Sequence, residues 1–331
     1  MTEKLVSSIV PLYNPTAAEL RRCVQSLLSQ THQNLQIVLV DDGSAEEARM
    51  LCDALAMQDE RLCVLHQPNA GVSAARNAGI ALAKGEYLAF VDADDFVEPS
   101  FVKSLAQMLE SNDLAICGIA ERHFEVVQKT LSCDDFFSAP KPFTGVVYLN
   151  FSCNKMFHME LIRSHRLCFD ASIHLGEDAV FLADYFPHCH QVACISEKLY
   201  HYCDSATSAM HRYNPDFWKW EETVITRQWA LFAAKSAAPA QQAQLYQWLY
   251  LKLRGVFEYY LENAPKERQI LRTIQASQVF ERLMTHGHSN MGFHKKARLN
   301  LWLWRWFHTA GIVLGHRLHC LTVRRPRKEA M

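Results

Sequence analysis

The 331-residue chain has no run of about 18 consecutive apolar residues, the length a membrane-spanning helix needs. Its longest candidates are interrupted by Arg305, His308, His316 and Arg317, so no membrane crossing is expected. No Cys-x-x-Cys occurs among the eleven cysteines, and Met1-Thr2-Glu3-Lys4 leads into a strand-like run without a long apolar signal region. A reducing, cytosolic setting is the expectation. Neither Gly-x-Gly-x-x-Gly nor a Walker loop follows any early strand, which disfavours a dinucleotide dehydrogenase or a P-loop enzyme. With 12 Gly, 11 Pro, 49% apolar and 21% charged residues, the chain is not collagen-like, low-complexity or predominantly disordered. One absence is local: residues 282–328 hold ten Lys+Arg and no Asp or Glu. The remainder therefore carries 24 Lys+Arg against 35 Asp+Glu. A basic C-terminal segment on an acidic body suggests an anionic partner such as a phospholipid surface, with a solvated basic helix face as the alternative. No nucleic-acid partner is expected.

What is present alternates strands and helices. Leu5 to Val10 reads as a strand, and Thr16-Ala17-Ala18-Glu19 offers a capping box that opens an amphipathic helix to about Gln30. Leu35 to Val40 is a continuous apolar run suited to a strand buried on both faces, and Ser44-Ala45-Glu46-Glu47 offers a second capping box. A third strand (62–65), an Ala-rich helix (73–83), a fourth strand (87–91), a helix (100–110) and a strand (114–119) follow. This order predicts a doubly wound, mainly parallel α/β sheet with ligands beyond the carboxyl ends of its strands. The pattern loosens after residue 120 and becomes long, helical and rich in Trp, Tyr and Leu from about Asn214. The expected organisation is a catalytic domain over 1–210, with a nucleotide half to about 119 and an acceptor half over 120–210, then a helical region over 211–331. Turns between helices are expected at 236–240 and 263–265.

Three polar clusters fall on the predicted rim: Pro11-Leu12-Tyr13-Asn14, Asp41-Asp42-Gly43-Ser44 and Asp92-Ala93-Asp94-Asp95. Three Asp in four residues are costly unless a cation neutralises them, and hard carboxylate oxygens suit Mg²⁺ or Mn²⁺ with a phosphorylated ligand. The alternative is that these Asp serve as turn and cap residues. Tyr13 offers a face for a nucleobase or packs on its own loop. Gly71-Val72-Ser73-Ala74-Ala75-Arg76-Asn77 runs into a helix whose N-terminus suits an anion, with Arg76 facing diphosphate, base or solvent. Gly176-Glu177-Asp178 opens a helix where acids are favoured by the macrodipole, and where a carboxylate is also placed as a general base. The histidines show no zinc spacing, and only His201, between Tyr200 and Tyr202, is retained as a candidate.

Val10-Pro11-Leu12-Tyr13-Asn14, Val40-Asp41-Asp42-Gly43-Ser44, the run Asn69 to Gly79, Gly85-Glu86-Tyr87 with Asp92-Ala93-Asp94-Asp95, and Gly176-Glu177-Asp178 resemble, in order, the motifs of family 2 glycosyltransferases. The resemblance covers about residues 4–210. It implies a GT-A fold with a Rossmann-like mixed sheet, a UDP-sugar donor, a divalent Mg²⁺ or Mn²⁺ and inversion at the anomeric carbon. By that likeness Pro11, Tyr13 and Asp42 surround the uracil and ribose, with Arg76 also at the nucleotide. Asp92 lies nearer the ribose or sugar, Asp94 is the metal ligand and Asp178 is the catalytic base. Asn154-Lys155-Met156-Phe157 and the stretch from Tyr200-His201-Tyr202 to Ser208 look like bacterial capsule and lipopolysaccharide enzymes, with His201 as a metal or diphosphate contact. The implied acceptor is a glycan or glycolipid, which suits an enzyme peripheral at the inner face of a bacterial plasma membrane. The Trp-rich run 299–307 and the basic run 324–328 fit such a surface or a core helix with a solvated end. Glucose, galactose and their N-acetylated amino forms stay open as the sugar, as does the oligomeric state. The rival readings are a sugar nucleotidyltransferase and a non-catalytic nucleotide-sugar-binding or assembly protein.

Overall fold

The computed structural model describes residues 3–120, 128–138, 150–203, 213–235, 238–264, 268–286 and 295–322. The chain divides into two compact units, Met1–Arg212 and Tyr213–Met331. The runs 204–208 and 324–328, singled out above, lie outside the described residues.

In the first unit, β1 (Val6–Leu12) is buried along its whole length and lies between β2 (Leu35–Asp41) and β4 (Tyr87–Phe90), parallel to both. β3 (Leu62–His66) extends this parallel half beyond β2. The helices α1 (Ala17–Leu28), α2 (Glu46–Ala56) and α3 (Val72–Leu82) connect these strands. At the start of α1 the Thr16 hydroxyl accepts the Glu19 N–H while Glu19 accepts the Thr16 N–H, so the first capping box forms. The second does not. Ser44 Oγ instead accepts the Asn14 N–H at 2.9 Å, which ties the β1 and β2 exit loops together and leaves Ala45 as a helix cap without a side-chain bond. Gly79 lets α3 press onto the sheet, because a Cβ there would lie 2.4 Å from Ile9 Cγ2.

The second half of the sheet departs from the mainly parallel expectation. After β5 (Phe96–Val97), α4 (Phe101–Leu109), β6 (Leu114–Ile119), β7 (Lys129–Ser132) and α5 (Cys133–Ser138), the strand β8 (Lys155–His158) inserts between β4 and β6, antiparallel to both. The helices α6 (Met159–Ser164) and α7 (Glu177–Tyr185) precede β9 (Gln191–His201). β9 runs parallel to β6 and antiparallel to β5 and β7, giving the order β3-β2-β1-β4-β8-β6-β9-β5. An aromatic cluster holds α7 against the centre of the sheet: Phe169 stacks on Phe181 at 4.3 Å, and Phe90 meets Phe157 and Phe169 edge-on.

The second unit is helical: α8 (Phe217–Lys235), α9 (Pro239–Asn263), α10 (Arg268–Gln275), α11 (Gln278–His286) and α12 (Lys295–Thr322). The turns expected at 236–240 and 263–265 overlap the two ends of α9, which already includes Pro239, Ala240 and Asn263, and residues 236–237 and 265–267 lie outside the described set. Its core is aromatic, with Trp304 of α12 5.1 Å from Phe257 and 5.4 Å from Tyr250 of α9. Tyr260, also buried, accepts the Trp218 N–H and donates to the Pro215 carbonyl, fixing the start of α8 on α9. No helix among the described residues is long and apolar enough to cross a membrane.

Candidate active site

Parallel β1, β2 and β4 end on one side of the sheet, and the polar clusters follow directly from those ends. Pro11 is buried near the end of β1. Its missing N–H costs no ladder bond, since pairing with β4 stops at Ile9 and Phe90, after which Val91 N–H meets the Ile9 carbonyl. Tyr13, two residues on, is 59% exposed, so its ring is presented to solvent at the mouth.

The two aspartates at the end of β2 are engaged by their own loops. Burial alone would push the Asp41 carboxyl up, yet hydrogen bonds from Ser44 and His66 outweigh it and hold the group below its usual range. Asp42 accepts from Gln67 Nε2 at 2.7 Å, Ala70 N–H at 2.9 Å and Gly71 N–H at 2.8 Å, and so fixes the turn into α3. Gly43 between this pair and Ser44 is at φ +79°, and a Cβ there would lie 2.7 Å from Asn69 N, so only glycine fits.

Arg76 is not a solvated helix residue. It is 3% exposed, and its guanidinium meets three carboxylates: Nη1 reaches Glu177 Oε1 at 2.8 Å and Asp178 Oδ1 at 3.0 Å, and Nη2 reaches Asp92 Oδ1 at 3.1 Å. Its carbon also lies 5.2 Å from the centre of the Phe169 ring. Asn77, the next residue, binds the Phe169 backbone through both its amide groups at 2.8 Å, so α3 holds the floor beneath its own arginine. The acidic surroundings strengthen the charge on Arg76 despite its burial.

Asp178 stands in the first turn of α7, which starts after Gly176. Ser152 grips both its oxygens, donating from Oγ at 2.8 Å and from N–H at 3.1 Å. Ser152 is a site residue that sequence reasoning missed, and nothing in its local pattern marks it. Beside it, Glu177 is held above the usual carboxylate range by burial and by Asp178, against the pull of Arg76.

The loop after β4 is a turn closed by Asp95 N–H on the Asp92 carbonyl at 3.0 Å. Asp94 is pushed up to about 6, first by burial and then by the neighbouring Asp92 charge. Asp95 is 1% exposed and pushed up to about 8 by burial and Asp92. It accepts from Tyr200 Oη at 2.5 Å and from Cys203 N–H at 2.8 Å, which fastens the loop to the end of β9. His201 stacks on Phe96 at 4.2 Å and its Nε2 meets Glu98 Oε1 at 2.7 Å. Asp92, Arg76 and Asp178 are thus joined directly, whereas the contacts described for His201 run to the β5 side of the Asp92–Asp95 turn.

Residues 7–165 match the family model described as glycosyl transferase family 2. Those residues form a family 2 glycosyl transferase domain. The chain is 35% identical to EpsH of Bacillus subtilis over 225 residues, 64% of either protein, and 48% identical to the glycosyltransferase GlyG of Streptococcus pneumoniae over 111 residues, 36% of GlyG. It therefore spans less than two thirds of these relatives. Among solved structures, S. aureus TarS 1–349 in complex with UDP-GlcNAc superposes with a TM-score of 0.71 at 18% identity, over 97% of this chain and 93% of that one. The mannosyltransferase PcManGT from Pyrobaculum calidifontis, in complex with GDP-Man and Mn²⁺, gives a TM-score of 0.54 at 15% identity, over 96% and 88%. The fold is the GT-A fold with C-terminal helices.

Proposed function

We propose that the chain is an inverting glycosyltransferase that moves a hexose or N-acetylhexosamine from a UDP-sugar to a hydroxyl of a bacterial surface glycan or glycolipid, forming a β-glycosidic bond. The observation that carries this reading is the direct link from Asp92 through Arg76 to Asp178, which sets a candidate base beside the family's D-x-D turn. The family match and the likeness to EpsH support transferase chemistry in polysaccharide assembly. The TarS complexes with UDP-GlcNAc and with UDP support a UDP-sugar as donor.

In this reading Asp178 accepts the proton of the acceptor hydroxyl as its oxygen attacks the anomeric carbon and UDP leaves from the opposite side. Ser152 and Arg76 hold the base aimed, and tie its position to Asp92. Exposed Tyr13 offers its ring to the uracil, and Pro11 and Asp42 stand at the same strand ends.

Asp92 and Asp94 suit a divalent cation. Without one, burial and mutual repulsion raise Asp94, and a hard cation would relieve both. No three His, Cys, Asp or Glu side chains among the described residues converge as a metal site. Such a donor set matches Mg²⁺ or Mn²⁺, which can take one or two carboxylates and complete its shell with phosphate and water. When bound, the cation would offset the charge developing on the departing diphosphate.

The test is UDP release from a panel of UDP-sugars with and without Mn²⁺, with bacterial glycolipid as acceptor, for the native chain, Asp94→Ala and Asp178→Asn. Asp178→Asn should lower turnover by about 10²–10⁴-fold, the usual contribution of a positioned base. Release of one donor that needs the cation and is lost in both variants is the expected result. Full turnover in Asp178→Asn would eliminate that residue as the base, and UDP binding without release from any donor would favour the non-catalytic binding reading.

A further inference from the structure

The second unit carries a feature that the transferase reading does not use. A groove of about 400 Å³ runs between α10 and α12, lined by Arg268 and Arg272 on one side and by Ala310, Val313, Leu314 and Arg317 on the other. Three arginines thus line one groove beside apolar side chains, and none of the three forms an ion pair among the described residues. Around Arg317 the sequence supplies no acid, since residues 282–328 hold ten Lys+Arg and no Asp or Glu; Glu267 directly precedes Arg268 on the α10 side.

Outside the groove, α12 exposes further apolar side chains. At about 100° per residue, Leu299, Trp302, Val313 and Arg317 fall on one side of the helix. Leu299, Trp302 and Leu314 are 45%, 47% and 46% exposed, whereas Leu301, Trp304 and Ile312 on the other side are buried in the helical core. Exposed Leu and Trp on a helix that also carries cations have the chemistry of an interfacial helix: apolar side chains enter the acyl boundary, Trp sits at headgroup depth and Arg meets phosphate.

We propose that this face of α10 and α12 docks on a membrane surface, with Arg268, Arg272 and Arg317 taking the phosphates of anionic phospholipid headgroups while Leu299, Trp302 and Leu314 enter the interface. The ten cations of residues 282–328, with no acid among them, favour an anionic bilayer over a neutral one, and the exposed Leu and Trp side chains favour a bilayer over a soluble phosphate. The site rests on the second unit alone, so it stands or falls separately from the transferase reading.

The experiment is flotation of the full chain with phosphatidylcholine vesicles, and with vesicles of phosphatidylcholine and phosphatidylglycerol. The native protein should float with the anionic vesicles, less so as salt rises, and not with the neutral ones. Arg268→Gln, Arg272→Gln and Arg317→Gln should each weaken binding about fivefold, from the roughly 1 kcal/mol that a basic residue contributes near an anionic surface. Trp302→Ser should weaken binding with all three arginines in place. An unchanged helical circular-dichroism spectrum and thermal midpoint serve as the folding control for each variant. Equal flotation with neutral vesicles, no flotation with either, or undiminished binding of the triple arginine variant would overturn the proposal. So would a dimer in sedimentation that dissociates in the triple variant, because the face would then cover a second copy.

Discussion

Arg76 Nη1 lies 3.0 Å from Asp178 Oδ1, and the same guanidinium reaches Asp92 at 3.1 Å, so one buried cation joins a strand-end loop to the first turn of a helix about a hundred residues away. Removing it leaves Glu177, Asp178 and Asp92 facing one another without compensation. Breaking a buried ion pair from one side typically costs about 3–5 kcal/mol, and Arg76→Gln should lower stability by that order, read as a drop in the urea midpoint. In the surviving activity, kcat should fall with the donor KM little changed, because Asp178 loses one of the two groups that position it. If weakened UDP binding were the main effect and kcat held, Arg76 would be acting on the nucleotide instead.

Ser152 makes a narrower test of the same assembly. Ser152→Ala deletes the 2.8 Å bond from Oγ to Asp178 and keeps the backbone N–H bond. A hydrogen bond to a charged group is worth about 1.5–3 kcal/mol, so turnover should fall roughly tenfold or more with the donor KM little changed. A rise in KM with unchanged kcat would mean that Ser152 shapes the donor pocket and leaves the base unaffected.

The contrast between these residues explains what the sequence could disclose. Asp92, Asp94 and Asp178 were legible because each follows a strong local signal: a strand that ends, a turn, or a helix that opens. The partners of Asp178 were not, since Ser152 is 26 residues away and Arg76 about a hundred, and the segments meet through the pairing of β8, the Asn77–Phe169 bonds and the stack of Phe169 on Phe181. The same holds for the fold. Helices α1 to α4 and strands β1 to β4 announce themselves through periodicity and glycine breaks. β5, two residues long, carries no period at all, and the antiparallel insertion of β8 is decided by pairing with β4 and β6. Ser44 shows the limit of local rules: it fits a capping box, yet the Asn14 N–H from another loop takes its oxygen.

Gly79 is a site where space alone sets the residue. In Gly79→Ala the new methyl would meet Ile9 Cγ2 at 2.4 Å, inside the packing of α3 on β1. Overpacking of this kind costs about 1–3 kcal/mol, despite the better helix propensity of alanine. A lower thermal midpoint is expected, and the double variant with Ile9→Ala should lose less than the sum of the single losses. Additive losses would place the strain elsewhere.

Lys155 gives the fold a pH dependence of known sign. It is fully buried in β8, donates to the Phe151 carbonyl and to Asn154 Oδ1, and burial pushes it down to about 8 from its ordinary 10.5. Between those values the unfolded chain holds a proton that the folded chain has released, so stability should rise with pH across that window and this contribution should be lost as pH falls through about 8. The limiting slope for one proton is about 1.4 kcal/mol per pH unit. Lys155→Met removes the titration, and the native protein should gain on the variant as pH climbs, whatever the offset between them at neutral pH. Urea midpoints for both proteins over a pH series measure this difference, and parallel curves would mean that Lys155 keeps its proton in the folded chain.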